Sequence, residues 1–453
     1  MNSVYARAGY NFREKYLVEF NFRSDASSKF GPENRRAYFP AVSLGWRISG
    51  ENFMAGLDRV DDLKLRLSWG QTGSTNIGDF LYRQFYGSGF PYLGNTTLVP
   101  NSALPNPDVR WEMTTEYNGG VDFSFFNRRL FGSIDLYRRY TKGALAPSPY
   151  PKESGAGSYT SNLIDLSNKG MEFQISGEII RGEKVVWTSG FNIAFNRNKV
   201  EKLNGANLLP SQIDACVEGY PAGSLKGYVV EKIFTDQKEI DALNKVAKDK
   251  GKPAYQKAGT GIGDYKYKDV DGNGYINSDD REVIAVSEPR FFGGLSSSLS
   301  YGNFNLSLGF QFSKGAKAAW SSFASSSGGG VGQSIYRELY HNSWTPENSG
   351  ARYARLVSPN INGNYKMSDR FVYETSYLRL KNINFSWNVP QPFLKKLNVQ
   401  SCMVFAGVSN IWTLTKWPGL DPELTGAALG SSSQSSDPYP LSKNFTLGIK
   451  VEF

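Results

Sequence analysis

A chain of 453 residues with 14% aromatics, 21% charged residues and a formal net charge of +9 is long enough for a large folded unit and too apolar to be disordered. Mean hydropathy is −0.42, and no window approaches the roughly 18 uninterrupted apolar residues of a membrane helix. Two cysteines exclude a disulfide framework and a cysteine zinc cluster, and a single histidine excludes a two-histidine acid–base or metal site.

The opening MNSVYARAGYNF has no basic stretch followed by an apolar one, so no signal peptide is expected in it. Period-two alternation then runs from end to end. Strands are predicted over 3–12, 15–24, 38–49, 61–71, 110–125, 129–141, 168–180, 185–198, 290–301, 303–314, 371–388, 400–415 and 444–453. Leu63, Leu65, Leu67 and Trp69 share one face opposite Lys64, Arg66 and Ser68. In the last strand Phe445, Leu447, Ile449, Val451 and Phe453 oppose Thr446, Gly448, Lys450 and Glu452. Near Lys381 the apolar phase slips, which predicts a bulge. One segment, from Asp236 with Glu239 three residues on, reads as a capped helix inside a loop.

Strands of about ten residues match a tilted crossing of a bilayer. Aromatic pairs near strand ends, such as Tyr10 with Phe12, Phe123 with Phe125, and Trp412 with Trp417, suit interfacial girdles. A β-sandwich would alternate too, and the connections discriminate. Short turns at Arg13-Glu14, Asn127-Arg128, Gly182 and Gly302 alternate with long stretches at 72–109, 142–167, 199–289, 315–370 and 416–443. Placing every long loop at one end is the habit of outer-membrane barrels. The fold class is therefore all-β, an antiparallel transmembrane β-barrel with long external loops. Thirteen strands leave an open edge on each side, which is costly in lipid. The expectation is the C-terminal part of a larger barrel, with no plug domain in this chain.

The sharpest motif is Asp269-Val-Asp271-Gly-Asn273-Gly-Tyr275-Ile-Asn277-Ser-Asp-Asp280, within the longest loop. It follows the calcium-loop pattern, with oxygen donors from Asp269, Asp271, Asn273 and Asp280, the Tyr275 carbonyl, Asn277 at the water-mediated position, and glycine at the sharp turn. No cofactor is otherwise required, and a structural calcium is the candidate; an ion-free Asp/Asn/Gly turn is the alternative reading. Cys216 and Cys402 read as free thiols, and His341 as a solvated loop residue. GTGIG at 259–263 lacks the strand–turn–helix setting of a phosphate loop. No nucleophile elbow, Walker A or zinc-protease motif occurs, so no catalytic residues are assigned. The basic residues are dispersed along strand faces and turns, which argues against nucleic acid.

Long stretches resemble SusC/RagA-type TonB-linked outer-membrane proteins: YNFREKYLVEFNFRSDASSKFGPENRRAYFPAVSLGWRIS (10–49), LKLRLSWGQTGSTNIGD (63–79), GDYKYKDVDGNGYINSDDREVI (263–284), SYLRLKNINFSWNVP (376–390) and the terminal NFTLGIKVEF (444–453). The resemblance covers nearly the whole chain in order. It implies a 22-strand barrel with a plugged lumen, of which residues 1–453 would supply about thirteen strands. It also implies import of oligosaccharide or peptide across the cell outer membrane. A SusD-like surface lipoprotein would act as lid, and the TonB complex would supply energy through an N-terminal part. On the same ground, loop aromatics Phe85, Tyr86, Tyr92, Trp320, Tyr336, Trp344 and Trp417 become candidate substrate-binding residues, and Phe453 an assembly signal. The competing reading is a soluble secreted β-protein that binds or cleaves polysaccharide, whose strands would pair into two layers. A passive porin is a third reading, which the long loops disfavour.

Overall fold

Residues of alternating polarity can pair only in a register that keeps one face apolar, and the chain does this across thirteen strands in succession. The computed structural model describes residues 1–89, 91–100, 103–149, 158–204, 216–327, 334–357, 361–395, 399–424, 434–435 and 441–453. Its long strands are β1 (Asn2–Phe12), β2 (Tyr16–Ala26), β3 (Arg36–Arg47), β4 (Val60–Ser74), β5 (Glu112–Phe125), β6 (Leu130–Pro149), β7 (Ser158–Arg181), β8 (Val185–Lys202), β9 (Phe291–Tyr301), β10 (Phe304–Lys314), β11 (Tyr377–Asn388), β12 (Ser401–Thr415) and β13 (Asn444–Glu452). Each pairs antiparallel with its chain neighbours in a single sheet. The thirteen predicted strands are all present.

Connections at one end are short, and all but 48–59 and 389–400 are tight turns. Arg13 and Glu14 turn with φ of 55° and 56°, Asn127 and Arg128 with 56° and 59°, and Gly302 with 57°. The other end carries the long connections 75–111, 203–290, 315–376 and 416–443. The sequence reading erred at 142–167, taken as a loop. There β6 and β7 run on as one long hairpin, with register shifts between Asn162 and Ile164 and between Ile164 and Leu166. Gly143, at φ 65°, and these bulges interrupt the alternation and hide the strand. The predicted strand 371–388 also divides. Val372–Glu374 leaves the main sheet to pair with Lys317–Trp320, and β11 starts at Tyr377. The slip foreseen near Lys381 is a register shift of β11 against both neighbours.

One face of the sheet is apolar and exposed, including Phe20 (48%), Leu67 (49%), Leu136 (56%) and Leu447 (81%). No second sheet covers it among the described residues, as a soluble sandwich would require, and an exposed apolar band of this kind suits the outer face of a membrane barrel. The opposite face is polar. Across β1–β7 its charges pair side by side: Arg7 with Glu19, Arg23 with Asp25, Arg47 with Asp62, Arg66 with both Asp122 and Asp135, and Arg139 with Glu116.

The principal buried core lies in the long connections, not in the sheet. Val230, Tyr255, Tyr265, Tyr267, Trp320, Phe323, Leu339, Tyr353, Phe371 and Trp417 pack together from three different connections. A smaller cluster of Phe30, Phe39, Val109 and Trp111 closes the base of 75–111. No helix among the described residues is long and apolar enough to cross a membrane.

Candidate functional site

The loop body grows from residues that cannot be exposed cheaply. Tyr265 and Tyr267 occupy alternate positions of the short strand Tyr265–Tyr267, which pairs with Val230–Ile233. Both rings are buried, and Tyr265 meets Phe371 edge-on at 6.4 Å. Beside them Asp264, with no exposed surface, anchors the fold of two connections. It accepts from Arg355 Nε at 2.7 Å and Nη2 at 2.9 Å, from Asn362 Nδ2 at 2.6 Å, from Asn364 Nδ2 at 3.0 Å and from the Gly261 N–H at 2.7 Å. A buried carboxylate is tolerable only when so fully hydrogen-bonded. The same pairing holds the Arg355 guanidinium above its ordinary pKa.

The predicted helix is present as α1 (Gln237–Asp249), but its cap differs from the expectation. The Asp236 side chain accepts from the Lys238 N–H, while Glu239 turns away to pair with Lys232 at 2.8 Å and Lys266 at 3.2 Å. These bridges hold the Glu239 carboxyl below its ordinary range. The C-terminal turn of α1 lies over the acidic loop. Gly274, at φ 84°, sits so close that a Cβ would come within 2.9 Å of Val246, and only glycine fits.

In that loop the carboxylate oxygens of Asp269, Asp271 and Asp280 lie within 4.8 Å of one another. Asp280 is fully buried and accepts from the Val270 and Asn277 N–H groups at 2.8 and 2.7 Å. Asp269 accepts from the Gly274 N–H at 2.7 Å, and Asp271 from the Asn273 N–H at 3.0 Å. Asn273 turns its side-chain oxygen to the Tyr275 N–H at 3.0 Å, and its carbonyl accepts from Lys250 Nζ at 2.6 Å. The Asn277 side chain accepts from the Asp279 N–H, and the Tyr275 ring lies 4.8 Å from Lys252 Nζ. The structure thus converges the three aspartates of the predicted six-residue set. Three hard oxygen donors around one point, one of them fully buried, fit a divalent cation such as calcium.

The predicted aromatics divide by position. Trp320 and Trp417 are buried at 6% and 5% exposure, with centroids 6.3 Å apart inside the loop core. Trp417 therefore does not belong to the interfacial girdle proposed for it with Trp412, whose ring is 46% exposed on the apolar face. Tyr336 packs on Trp320 at 4.7 Å, and Trp344 lies against Gly263, where a Cβ would meet its ring at 2.3 Å. Phe85, Tyr86 and Tyr92 instead stand exposed at 47%, 64% and 70% around a small hairpin of Tyr86–Ser88 with Leu98–Pro100. Phe453 is 83% exposed beyond β13. Cys216 is buried and Cys402 half-buried, and His341 is exposed beside Arg337.

Sequence reasoning missed Asp264, Arg355, Asn362 and Asn364, because their partners are about ninety residues away. It also missed Lys366, whose ammonium lies 4.7 Å from the Tyr228 ring centroid and 5.6 Å from that of Tyr267. Burial, then the nearby Lys257, lowers its pKa. Alternating tyrosines in GDYKY were the available signal.

A single antiparallel sheet with a lipid-compatible outer face, a polar inner face and all long connections at one end defines a membrane β-barrel wall. Residues 1–411 match the TonB dependent receptor-like β-barrel family, and the chain belongs to it. Over its whole length it is 30% identical to the TonB-dependent receptor SusC of Bacteroides thetaiotaomicron, covering 43% of that protein. It is 29% identical to the TonB-dependent receptor P3 of Formosa agariphila, covering 45% of it. Among solved structures it superposes on the RagAB peptide transporter with a TM-score of 0.81 at 25% identity, over 100% of this chain and 47% of that one. The chain spans about half the length of the curated relatives it matches.

Proposed function

We propose that the chain forms the wall and external chamber of an outer-membrane nutrient importer of the SusC/RagA type. The observation that carries this reading is the apolar sheet face, exposed at residues such as Leu67 and Leu136, beneath a loop body with its own buried core. Outer-membrane lipid covers that face, and the polar face lines the passage. The ligand is an oligosaccharide or a peptide, with glycan favoured, and a SusD-like lipoprotein closes the chamber. The TonB complex supplies energy, and the protein is a transporter rather than an enzyme. Phe453 serves assembly into the membrane. Residues 1–453 act as one barrel unit, with 199–289 as its longest external loop.

Calcium held by Asp269, Asp271 and Asp280 stiffens that loop under α1. Its role is mechanical, because Ile276 of the same loop packs into the buried core. The import reading is tested by deleting the gene in its host and following uptake of labelled short gluco-oligosaccharides and short uncharged peptides, with complementation by the full-length natural protein. Loss of uptake restored by the intact gene supports import. Undiminished uptake of every probe in the deletion strain overturns it.

A further inference from the structure

The polar face of the sheet is built in two unlike halves. Residues directly opposite one another in the ladders share a face, so the register identifies every inward position. On β1–β7 these positions carry the paired charges described above. On β8–β12 the inward positions within 188–196, 292–300, 305–313, 382–388 and 403–409 hold no Asp, Glu, Lys or Arg.

Small uncharged groups stand there in ordered rungs, beside the larger Phe292, Met403 and Phe405, and above them on β11 the inward Arg379 is tied up by Asp421 and Glu423. Ser296, Gly309, Asn382 and Ser409 are paired in sequence across four strands, and Ser298, Ser307, Asn384 and Gly407 make the next rung. Strand geometry spaces such groups about 4.8 Å across the sheet and about 6.7 Å along it. Glycine keeps the rungs shallow: a Cβ on Gly309 would strike Asn382 Oδ1 at 2.1 Å, and one on Gly190 would lie 3.0 Å from both Ser176 Oγ and Ser296 Oγ. A groove of about 460 Å³ follows, lined by Ser296, Ser298, Ser307 and Asn382 and, at its β7 edge, by Glu178, whose carboxylate pairs with Arg181. The strands that form this half, with β13, also carry the connections that build the loop body.

We propose that the inward face of β8–β12 is a translocation track for an uncharged, hydroxyl- or amide-rich solute descending from the loop chamber. The inference rests on the import reading. Passage requires sites strong enough to admit a solute and weak and numerous enough to release it. A lattice of hydroxyls and amides meets that need, since neutral hydrogen bonds exchange with water at a net gain of only about 1 kcal/mol. Charged groups bind more tightly, and on β1–β7 most of them are occupied by one another, with Lys64 and Glu172 standing inward outside these pairs. That half is a stiff seam, and the uncharged half is the slide.

The test uses the full-length natural protein in its host outer membrane. Ser298→Trp and Ser307→Trp fill the track, Leu308→Trp places the same bulk on the lipid side of the same strand, and Ser298→Thr keeps the hydroxyl. Variants are compared at equal outer-membrane abundance, with labelled gluco-oligosaccharide binding at the cell surface measured separately from uptake. The track predicts that Ser298→Trp and Ser307→Trp lose most of the uptake while surface binding persists, and that Leu308→Trp and Ser298→Thr transport like the parent. Parental uptake by both track-filling variants overturns the track alone. Failure of the unmodified protein to restore uptake of any probe overturns the import reading and the track with it.

Discussion

Arg355 grips Asp264 with two parallel hydrogen bonds, of 2.7 and 2.9 Å, across 91 residues of sequence, and so ties the 315–376 connection to the 203–290 connection. The carboxylate has no exposed surface, whereas the guanidinium keeps 32% of its side-chain surface. Removing the arginine strands a charge that water cannot reach. Arg355→Met should therefore cost about 3–5 kcal/mol of loop-body stability and open residues 203–290 to protease while the sheet stays intact. Asp264→Asn added to Arg355→Met should recover part of the loss, because the amide needs no counter-charge. Equal proteolysis rates in Arg355→Met and parent would show that the two asparagines suffice.

The proposed calcium site separates two aspartates that look equivalent in sequence. Asp280 is buried and satisfies two backbone N–H groups, so Asp280→Ala should loosen the loop with or without the ion. Asp271 is exposed and bonds only Asn273. Asp271→Ala should therefore matter only when calcium is present. Limited proteolysis with calcium and with chelator gives the answer: the parent should be protected by calcium, and Asp271→Ala should not respond. Identical digestion of the parent in both conditions would remove the ion from the account.

The sheet was legible because each of its strands has two unlike surroundings, and a period of two records both. Leu63 to Trp69 and Phe445 to Val451 show it without help from any other segment. The loop body was not legible for the opposite reason. Its core joins Tyr265 to Phe371 and Trp320 to Trp417 across about a hundred residues, and no local period marks such contacts. The acidic loop lies between these cases. Its glycines and aspartates are local, so the motif could be read, but the burial of Asp280 against the exposure of Asp271 could not.

Alkali should unfold the loop body before the sheet. Burial raises the pKa values of Tyr255, Tyr265, Tyr267, Tyr353 and Tyr373 above the ordinary 10.0. Two of their hydroxyls donate inside the core, Tyr255 to the Tyr267 carbonyl at 2.9 Å and Tyr267 to the Gly363 carbonyl at 3.0 Å. A raised folded pKa means that the unfolded chain loses these protons first. The stability they contribute is complete below pH 10 and falls as pH climbs through the raised values, by about 1.4 kcal/mol per unit and group. Lys366 works the other way, since its lowered pKa relieves a penalty as pH rises toward 10.5, but it is one group against five. Tyrosinate absorbance followed during an alkaline titration should show a cooperative late-titrating class, with protease cleavage in 203–290 appearing at the same pH. Independent titration of all tyrosines at their ordinary value would contradict the packing described.

The candidate aromatics should divide into folding and binding classes. Trp320 is buried against Phe323 at 4.9 Å in a stacked arrangement, and Trp320→Ala should cost about 3–5 kcal/mol of loop-body stability. Any loss of ligand affinity in that variant should track its loss of protease resistance. Tyr86 and Tyr92 are 64% and 70% exposed, so alanine there should leave folding within about 0.5 kcal/mol of the parent. If they stack on ligand, each should weaken surface binding of an oligosaccharide by about 0.5–1.5 kcal/mol, the range for aromatic contacts beyond simple burial. Binding isotherms on the full-length natural protein, read beside proteolysis rates, distinguish the classes. Unchanged affinity in Tyr86→Ala, Tyr92→Ala and Phe85→Ala would leave that hairpin as a contact for the lid rather than for the solute.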